Sequence, residues 1–294
     1  MRISVSSTPS AGARDSKDGT GTEATATRRL RLLSYNIQAG IAANSYRHYL
    51  THSWKHILPC PKRLDNLDCI ARLLGGFDIV GLQEVDGGSL RSGFINQTEY
   101  LALSARFPYW YDQTNRNLGK FAQHSTGLLS RLCPAEVTEV KLPGMIPGRG
   151  ALTVRFGHGA DALILVIAHL ALGRRARFRQ LECIADVIGS YRHAIVMGDM
   201  NCGTDSREID WLVKHTVLRE PPHHLPTFPS WRPSRNLDQI LVSSSLKVER
   251  IEALNYSFSD HLPIVMEVAL PMELPWFDDQ TVASPIFPLA GAAA

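Results

Sequence analysis

Ala194-Ile195-Val196-Met197-Gly198-Asp199-Met200-Asn201 is the stretch that decides how the rest of the chain is read. An apolar run makes a short strand, a glycine follows, and a carboxylate and an amide come next with one residue between them. In an extended chain positions i and i+2 share a side, so Asp199 and Asn201 are expected to project together from the strand's mouth. Such a pair can hold a nucleophile and an oxyanion at once.

Other apolar runs carry polar residues at their ends in the same way. Leu30 to Tyr35 reads as a strand ending in Asn36, and Ile79 to Leu82 as one that delivers Gln83 and Glu84. Leu163 to Ala168 is apolar throughout, the mark of a strand covered on both faces, and it ends at His169. Gly127 to Ser130 and Ala151 to Phe156 are further strands, the latter entered through the proline- and glycine-containing segment Pro143 to Gly150. Ile240 to Val242 is entered from Asp238, and Ile264 to Met266 from Asp260 and His261. Between them, Leu64, Leu67, Ile70, Ala71 and Leu74 stand at helical spacing and Gly75-Gly76 stops the helix. Helices are also predicted over Glu99 to Ala105, Ala176 to Ile188 and Arg207 to Lys214.

Strand direction then sets the fold class. Asn36, Glu84, His169 and Asp199 each follow an apolar run, whereas Asp238 and the Asp260-His261 pair each precede one. If they share a site, strands meet it in both directions, so the sheets are mixed. Rossmann domains and TIM barrels, whose site residues gather at carboxyl ends only, are excluded. The expected fold is α/β, a two-layer mixed β-sandwich flanked by helices in a four-layer αββα arrangement. The domain reading is a disordered leader over 1–28, rich in Ser, Thr, Gly and Ala, a catalytic domain over 29–270 and a C-terminal tail over 271–294.

With 294 residues and 44% hydrophobic content the chain can bury one large core. A net charge of +3 is far from that of a dedicated DNA-coating protein, which leaves nucleic acid as a substrate and not a constitutive partner. The 5 cysteines are scattered, without a C-x-x-C pair, so neither a disulfide framework nor a cysteine zinc site is indicated. No signal-peptide core or membrane span is present, which places the protein in the cytoplasm, and no stable protein partner is implied.

The pooled strand-end residues are the amides Asn36 and Asn201, the carboxylates Glu84, Asp199, Asp238 and Asp260, and the imidazoles His169 and His261. Hard oxygen donors of this kind suit Mg²⁺ or Mn²⁺, and imidazoles with a nearby carboxylate suit acid–base work. Together they point to phosphoester hydrolysis with water as nucleophile. Ser34-Tyr35-Asn36-Ile37, Leu82-Gln83-Glu84-Val85, Ala168-His169-Leu170, Gly198-Asp199-Met200-Asn201, Leu237-Asp238-Gln239-Ile240 and Ser259-Asp260-His261-Leu262-Pro263 occur in an order that resembles the endonuclease/exonuclease/phosphatase superfamily. That superfamily includes pancreatic-type deoxyribonuclease, abasic-site endonucleases, neutral sphingomyelinases and inositol polyphosphate 5-phosphatases.

The resemblance implies roles residue by residue. Glu84 would be the principal metal ligand with Asn36 beside it, and Asp260 a second metal-side carboxylate. Asp199 would orient or deprotonate the attacking water, and Asn201 would hold a phosphoryl oxygen. His261 would contact the phosphate or act as base, with Asp238 fixing its tautomer; His169 would be a general acid or phosphate contact.

Beyond that set, Arg149, Arg174 and Arg175 are weaker candidates for binding phosphate oxygens. The insert from Ile41 to Arg63 mixes Tyr46, Tyr49 and Trp54 with Arg47, Lys55 and histidines and is expected to shape substrate choice. His48, His52 and His56 share a helical face, yet no further ligand accompanies them and a partly exposed cap helix explains them as well. The leading function is a metal-dependent phosphodiesterase acting on nucleic acid, lipid or a small phosphodiester. A phospholipid or glycolipid head-group hydrolase or inositol phosphatase is the alternative, and a non-catalytic binding module on the same scaffold is the third. The last predicts losses among the site residues, and none is lost.

Overall fold

Apolar residues at alternate positions build two sheets that face each other. The computed structural model describes residues 28–41, 62–117, 121–144, 148–220, 224–271, 274 and 287–288. The leader, the histidine-bearing part of the insert and most of the tail lie outside the described residues. In chain order the first strands are β1 (Arg29–Asn36), β2 (Ile79–Val85), β3 (Tyr109–Asn117), β4 (Gln123–Ser130), β5 (Glu136–Lys141) and β6 (Gly150–Phe156). Next come β7 (Leu163–His169), β8 (His193–Asp199), β9 (Asp238–Val242), β10 (Lys247–Ala253), β11 (Ile264–Ala269) and the short β12 (Phe287–Pro288). The helices are α1 (Lys62–Leu74), α2 (Gln97–Ala105), α3 (Arg174–Ile188) and α4 (Arg207–His215).

One sheet has the order β10-β11-β1-β2-β4-β3, with β12 added at the β3 edge; the other has β5-β6-β7-β8-β9. Both are mixed. β1 runs parallel to β2 and antiparallel to β11, and β7 runs parallel to β8, which is antiparallel to β9. Strands therefore meet the site rim in both directions, as the polar strand ends predict.

Layering follows from parity. Leu163, Leu165, Ile167, Ile195 and Met197 pack with Leu30, Leu32 and Ile79 between the sheets. The intervening residues Ile164, Val166, Ala194 and Val196 face outward and are covered by Leu181, Ile184 and Ile188 of α3 and Ile209 and Leu212 of α4. On the other sheet Leu33, Tyr35, Val80 and Leu82 receive Leu67, Ile70 and Leu74 of α1 and Leu101 of α2. The order is helix, sheet, sheet, helix. Each fully buried leucine-sized side chain contributes about 1.5–3 kcal/mol by leaving water, so this double covering explains the unbroken apolar run of β7. Leu274, beyond the expected domain limit at Leu270, is fully buried in the inter-sheet core.

Besides the two-residue β12 in the tail, three strands escaped the sequence reading. β5 (Glu-Val-Thr-Glu-Val-Lys) and β10 (Lys-Val-Glu-Arg-Ile-Glu-Ala) are outer strands whose charges guard the sheet edges, which suppresses the apolar signal. β3 begins with aromatics and turns polar, because its second half lines a cavity. Among the described residues Cys69, Cys133, Cys183 and Cys202 are free thiols. Within the same residues no helix is long and apolar enough to cross a membrane.

Candidate active site

β-Register assembles the first part of the site. His169 pairs with Asp199, and Asp199 pairs with Asp238, so the three stand in one row across adjacent strands. Laterally paired residues share a face, and these lie on the same parity as the inter-sheet residues Ile167, Met197 and Ile240. The row caps the core at its carboxyl rim. Gly198 makes this packing feasible: its φ is +141°, and a Cβ there would lie 1.9 Å from the Ala168 carbonyl oxygen.

Asn36, at the end of β1, reaches across from the facing sheet. Its Nδ2 donates to Asp199 Oδ2 at 3.1 Å, while its Oδ1 accepts from the Gln38 amide at 3.2 Å. Glu84 breaks its strand's parity. Its neighbours Val80 and Leu82 face the helices, but Glu84 has φ +56° beside a register shift between β2 and β4, and its carboxylate turns to the site. His169 Nε2 lies 4.0 Å from Glu84 Oε1 and 3.4 Å from Asp199 Oδ2.

The loop before β11 supplies the second imidazole. His261 Nδ1 lies 2.7 Å from Asp238 Oδ2, which also accepts from the Thr227 hydroxyl at 2.5 Å. The Phe228 ring packs on His261 at 4.9 Å between centroids. His261 Nε2 points back to Asp199 Oδ2 at 3.8 Å. Burial opposes a charge on His261, but the carboxylates of Asp238, Asp199 and Asp260 outweigh it and push its pKa up to about 10. For His169 burial wins, aided by Arg149 and His261, and its pKa falls to about 3 despite Asp199. Thus one imidazole is charged at neutral pH and the other is not. Burial raises the Asp260 carboxyl to about 6, against His261 and with help from Glu84 and Asp199.

Asn201 departs from the sequence reasoning in how it gets there. β8 ends at Asp199, and Asn201 sits at φ +52°, so strand alternation does not place it. Instead its amide N–H donates to Asp199 Oδ1 at 2.9 Å and its Nδ2 to the Leu170 carbonyl at 2.8 Å.

Oxygen donors suited to a divalent ion are at hand. Among the described residues Glu84 accepts no hydrogen bond, and Asp260 and Asp199 lie close enough to oppose each other's charge. Asp199, Asp238 and His261 form a second, buried group whose ligand atoms lie within 4.8 Å of one another and which could hold an ion. In that group, however, His261 Nδ1 and Asp238 Oδ2 are already hydrogen-bonded to each other.

A cavity of about 740 Å³ opens beside Glu84 and His169. Arg149, Arg174 and Arg175 line it, as do Arg116 and His124, which the sequence reading did not single out. His124 opens the apolar run of β4 much as Asp238 opens that of β9, a signal that was available; Arg116 sits on the overlooked β3. Thr227, the partner of Asp238, has no comparable mark in the sequence.

Two mixed sheets, with amides, carboxylates and a histidine–aspartate pair gathered where their strands end, define the class of two-sheet phosphoester hydrolases. The chain belongs to the endonuclease/exonuclease/phosphatase family, whose model matches residues 33–261. No curated protein matches its sequence. A family protein from Beutenbergia cavernae superposes with a TM-score of 0.65 at 20% identity, covering 83% of this chain and 72% of that one. A mannosyl-6-phosphatase from Bacteroides thetaiotaomicron gives 0.60 at 19% identity, covering 82% and 100%. Humanized D. rerio TDP2 gives 0.57 at 16%, covering 82% and 98%. At these identities the likeness concerns the fold.

Proposed function

We propose that the chain hydrolyses a phosphodiester with water as nucleophile, using Mg²⁺ or Mn²⁺, and that 29–270 is its catalytic unit. The observation that carries this reading is the His261–Asp238 pair, 2.7 Å apart, facing Asp199 at 3.8 Å. Asp199, fixed by the Asn36 amide, orients the water and takes its proton. His261, held protonated by its carboxylates, offers Nε2–H to a phosphoryl oxygen while Nδ1–H stays on Asp238. His169, neutral at working pH, serves as an uncharged phosphate contact and not as the general acid. One amide hydrogen of Asn201 is engaged by Leu170, leaving the other for a phosphoryl oxygen as charge builds. Glu84, Asn36 and Asp260 would hold the cation, whose chemistry is neutralisation of charge on the phosphoryl and leaving oxygens. A cytoplasmic setting accords with the free thiols.

Mg²⁺-dependent nicking of supercoiled plasmid, run beside EDTA and a His261→Ala variant, tests the reading on nucleic acid. Nicking lost in both controls supports a diesterase that accepts DNA. Nicking that survives His261→Ala contradicts the assigned site. The arginine-lined cavity favours a second reading within the same chemistry, a head-group or small-molecule phosphoester in place of DNA.

A further inference from the structure

The cavity beside the catalytic cluster has an unusual charge balance. Arg116, Arg149, Arg174 and Arg175 line it together with His124, and among the described residues Glu84 is the only carboxylate in its lining. None of these guanidiniums forms an ion pair with a described carboxylate. A phosphodiester at the reacting position carries one negative charge, and Arg149, within electrostatic reach of Glu84 and Asp199, suffices to meet it. Arg116, Arg174 and Arg175 are left over.

Close backbone packing sets the position of two of the arginines. Arg116 is packed against the loop before β6: Gly148 has φ +103°, and a Cβ there would lie 2.7 Å from the Arg116 Cβ. Gly150 packs as closely, since a Cβ there would lie 2.2 Å from Asn115 Oδ1 and displace that side chain. Arg149 is thereby held between the two glycines against β3. Arg174 and Arg175 line the same cavity from the first turn of α3, where no acidic residue competes for them. Arg116, Arg174 and Arg175 are all three exposed at the cavity and free to meet an incoming anion, and guanidiniums bind phosphate oxygens in bidentate fashion.

We infer that this cavity is a subsite for a second phosphate, and that the substrate is a small phosphoester bearing a phosphate besides the one attacked. The inference rests on the proposed function in that it takes Glu84 and Asp199 to mark the reacting phosphate. A volume of about 740 Å³ lies within the usual range for small-molecule sites and suits a phosphorylated sugar, polyol or head group. The chain's net charge of +3 is modest for a protein that tracks a polynucleotide.

Competition reads this directly. The full chain, with excess Mg²⁺, hydrolyses bis(p-nitrophenyl) phosphate in the presence of fructose 6-phosphate or fructose 1,6-bisphosphate. The bisphosphate is expected to inhibit at a concentration at least about tenfold lower. In Arg116→Ala and in the Arg174→Ala/Arg175→Ala double variant that ratio falls towards one; being a ratio, it is independent of any change in overall rate. Equal inhibition of the unaltered protein by the two sugars overturns the inference, with no variant needed. Vesicles containing phosphatidylinositol 4-phosphate that compete better than the soluble bisphosphate support the subsite and assign its phosphate to a lipid head group. Oligothymidylate that outcompetes both overturns it in favour of a strand. If no hydrolysis occurs with metal, the proposed function fails separately, and calorimetric titration of the two sugars into the protein with Mg²⁺ still decides the subsite.

Discussion

His261 Nδ1 and Asp238 Oδ2 are 2.7 Å apart, and both side chains are buried. The pair makes His261 a charged donor at neutral pH, because carboxylates outweigh burial and raise its pKa to about 10. Deprotonation through that value on the alkaline side removes the donor. Asp238→Asn takes away the strongest of the carboxylates, so the pKa of His261 drops and the alkaline limb of the kcat/KM profile moves to lower pH. The rate at neutral pH falls by about a hundredfold or more, the usual scale for a lost acid–base group. A pH profile of the variant that superposes on the parent's sinks this assignment.

Glu84 reaches the site only through its positive φ, and among the described residues it accepts no hydrogen bond. Glu84→Gln is expected to weaken Mg²⁺ or Mn²⁺ binding by about tenfold or more, read by calorimetric titration of the ion as well as by the ion concentration giving half-maximal activity. Unchanged ion affinity removes Glu84 from the metal site.

Gly198 cannot carry a side chain without moving β7 or β8, given the 1.9 Å approach to the Ala168 carbonyl and its φ of +141°. Gly198→Ala should destabilise the fold by at least about 1–3 kcal/mol in urea unfolding and reduce activity, since Asp199 follows directly. Parent-like stability would mean that the strands adjust freely there.

Asp86 and Arg91 form a buried ion pair at 2.7 Å just beyond Glu84, with side-chain exposures of 0% and 3%. Burial alone would raise the Asp86 carboxyl, but the Ser89 amide and hydroxyl and the Arg91 guanidinium hold it below its ordinary value. Asp86→Ala leaves Arg91 buried without its partner and should cost about 3–5 kcal/mol near neutral pH. A depressed folded pKa stabilises above the unfolded value of about 3.9 and loses that contribution as pH falls from there. The gap in unfolding free energy between parent and variant therefore narrows below about pH 4. A gap constant with pH contradicts the ion-pair account.

Much of this was legible in the sequence because the site is made at strand ends. Asp199, His169 and Asp238 each adjoin an apolar run whose register then aligns them, so periodicity alone located them. What could not be read is geometry that departs from regular strands. Glu84 and Asn201 are placed by left-handed backbone, which parity cannot foresee. Edge strands such as β5 hide behind their charges, and with β3 unread Arg116 could not be connected to Arg149 and Arg174 in one cavity lining. Thr227 acts through a contact 11 residues distant in sequence that no pattern announces.

The most direct measurement is hydrolysis of bis(p-nitrophenyl) phosphate by the purified chain with Mg²⁺ or Mn²⁺, beside an EDTA control and Asp199→Asn. Nitrophenolate release that requires the ion and falls by about a hundredfold or more in the variant, with its unfolding transition retained, is the predicted result. No release with either ion, or release that persists in EDTA or in Asp199→Asn, would contradict a metal-dependent phosphodiesterase centred on Asp199.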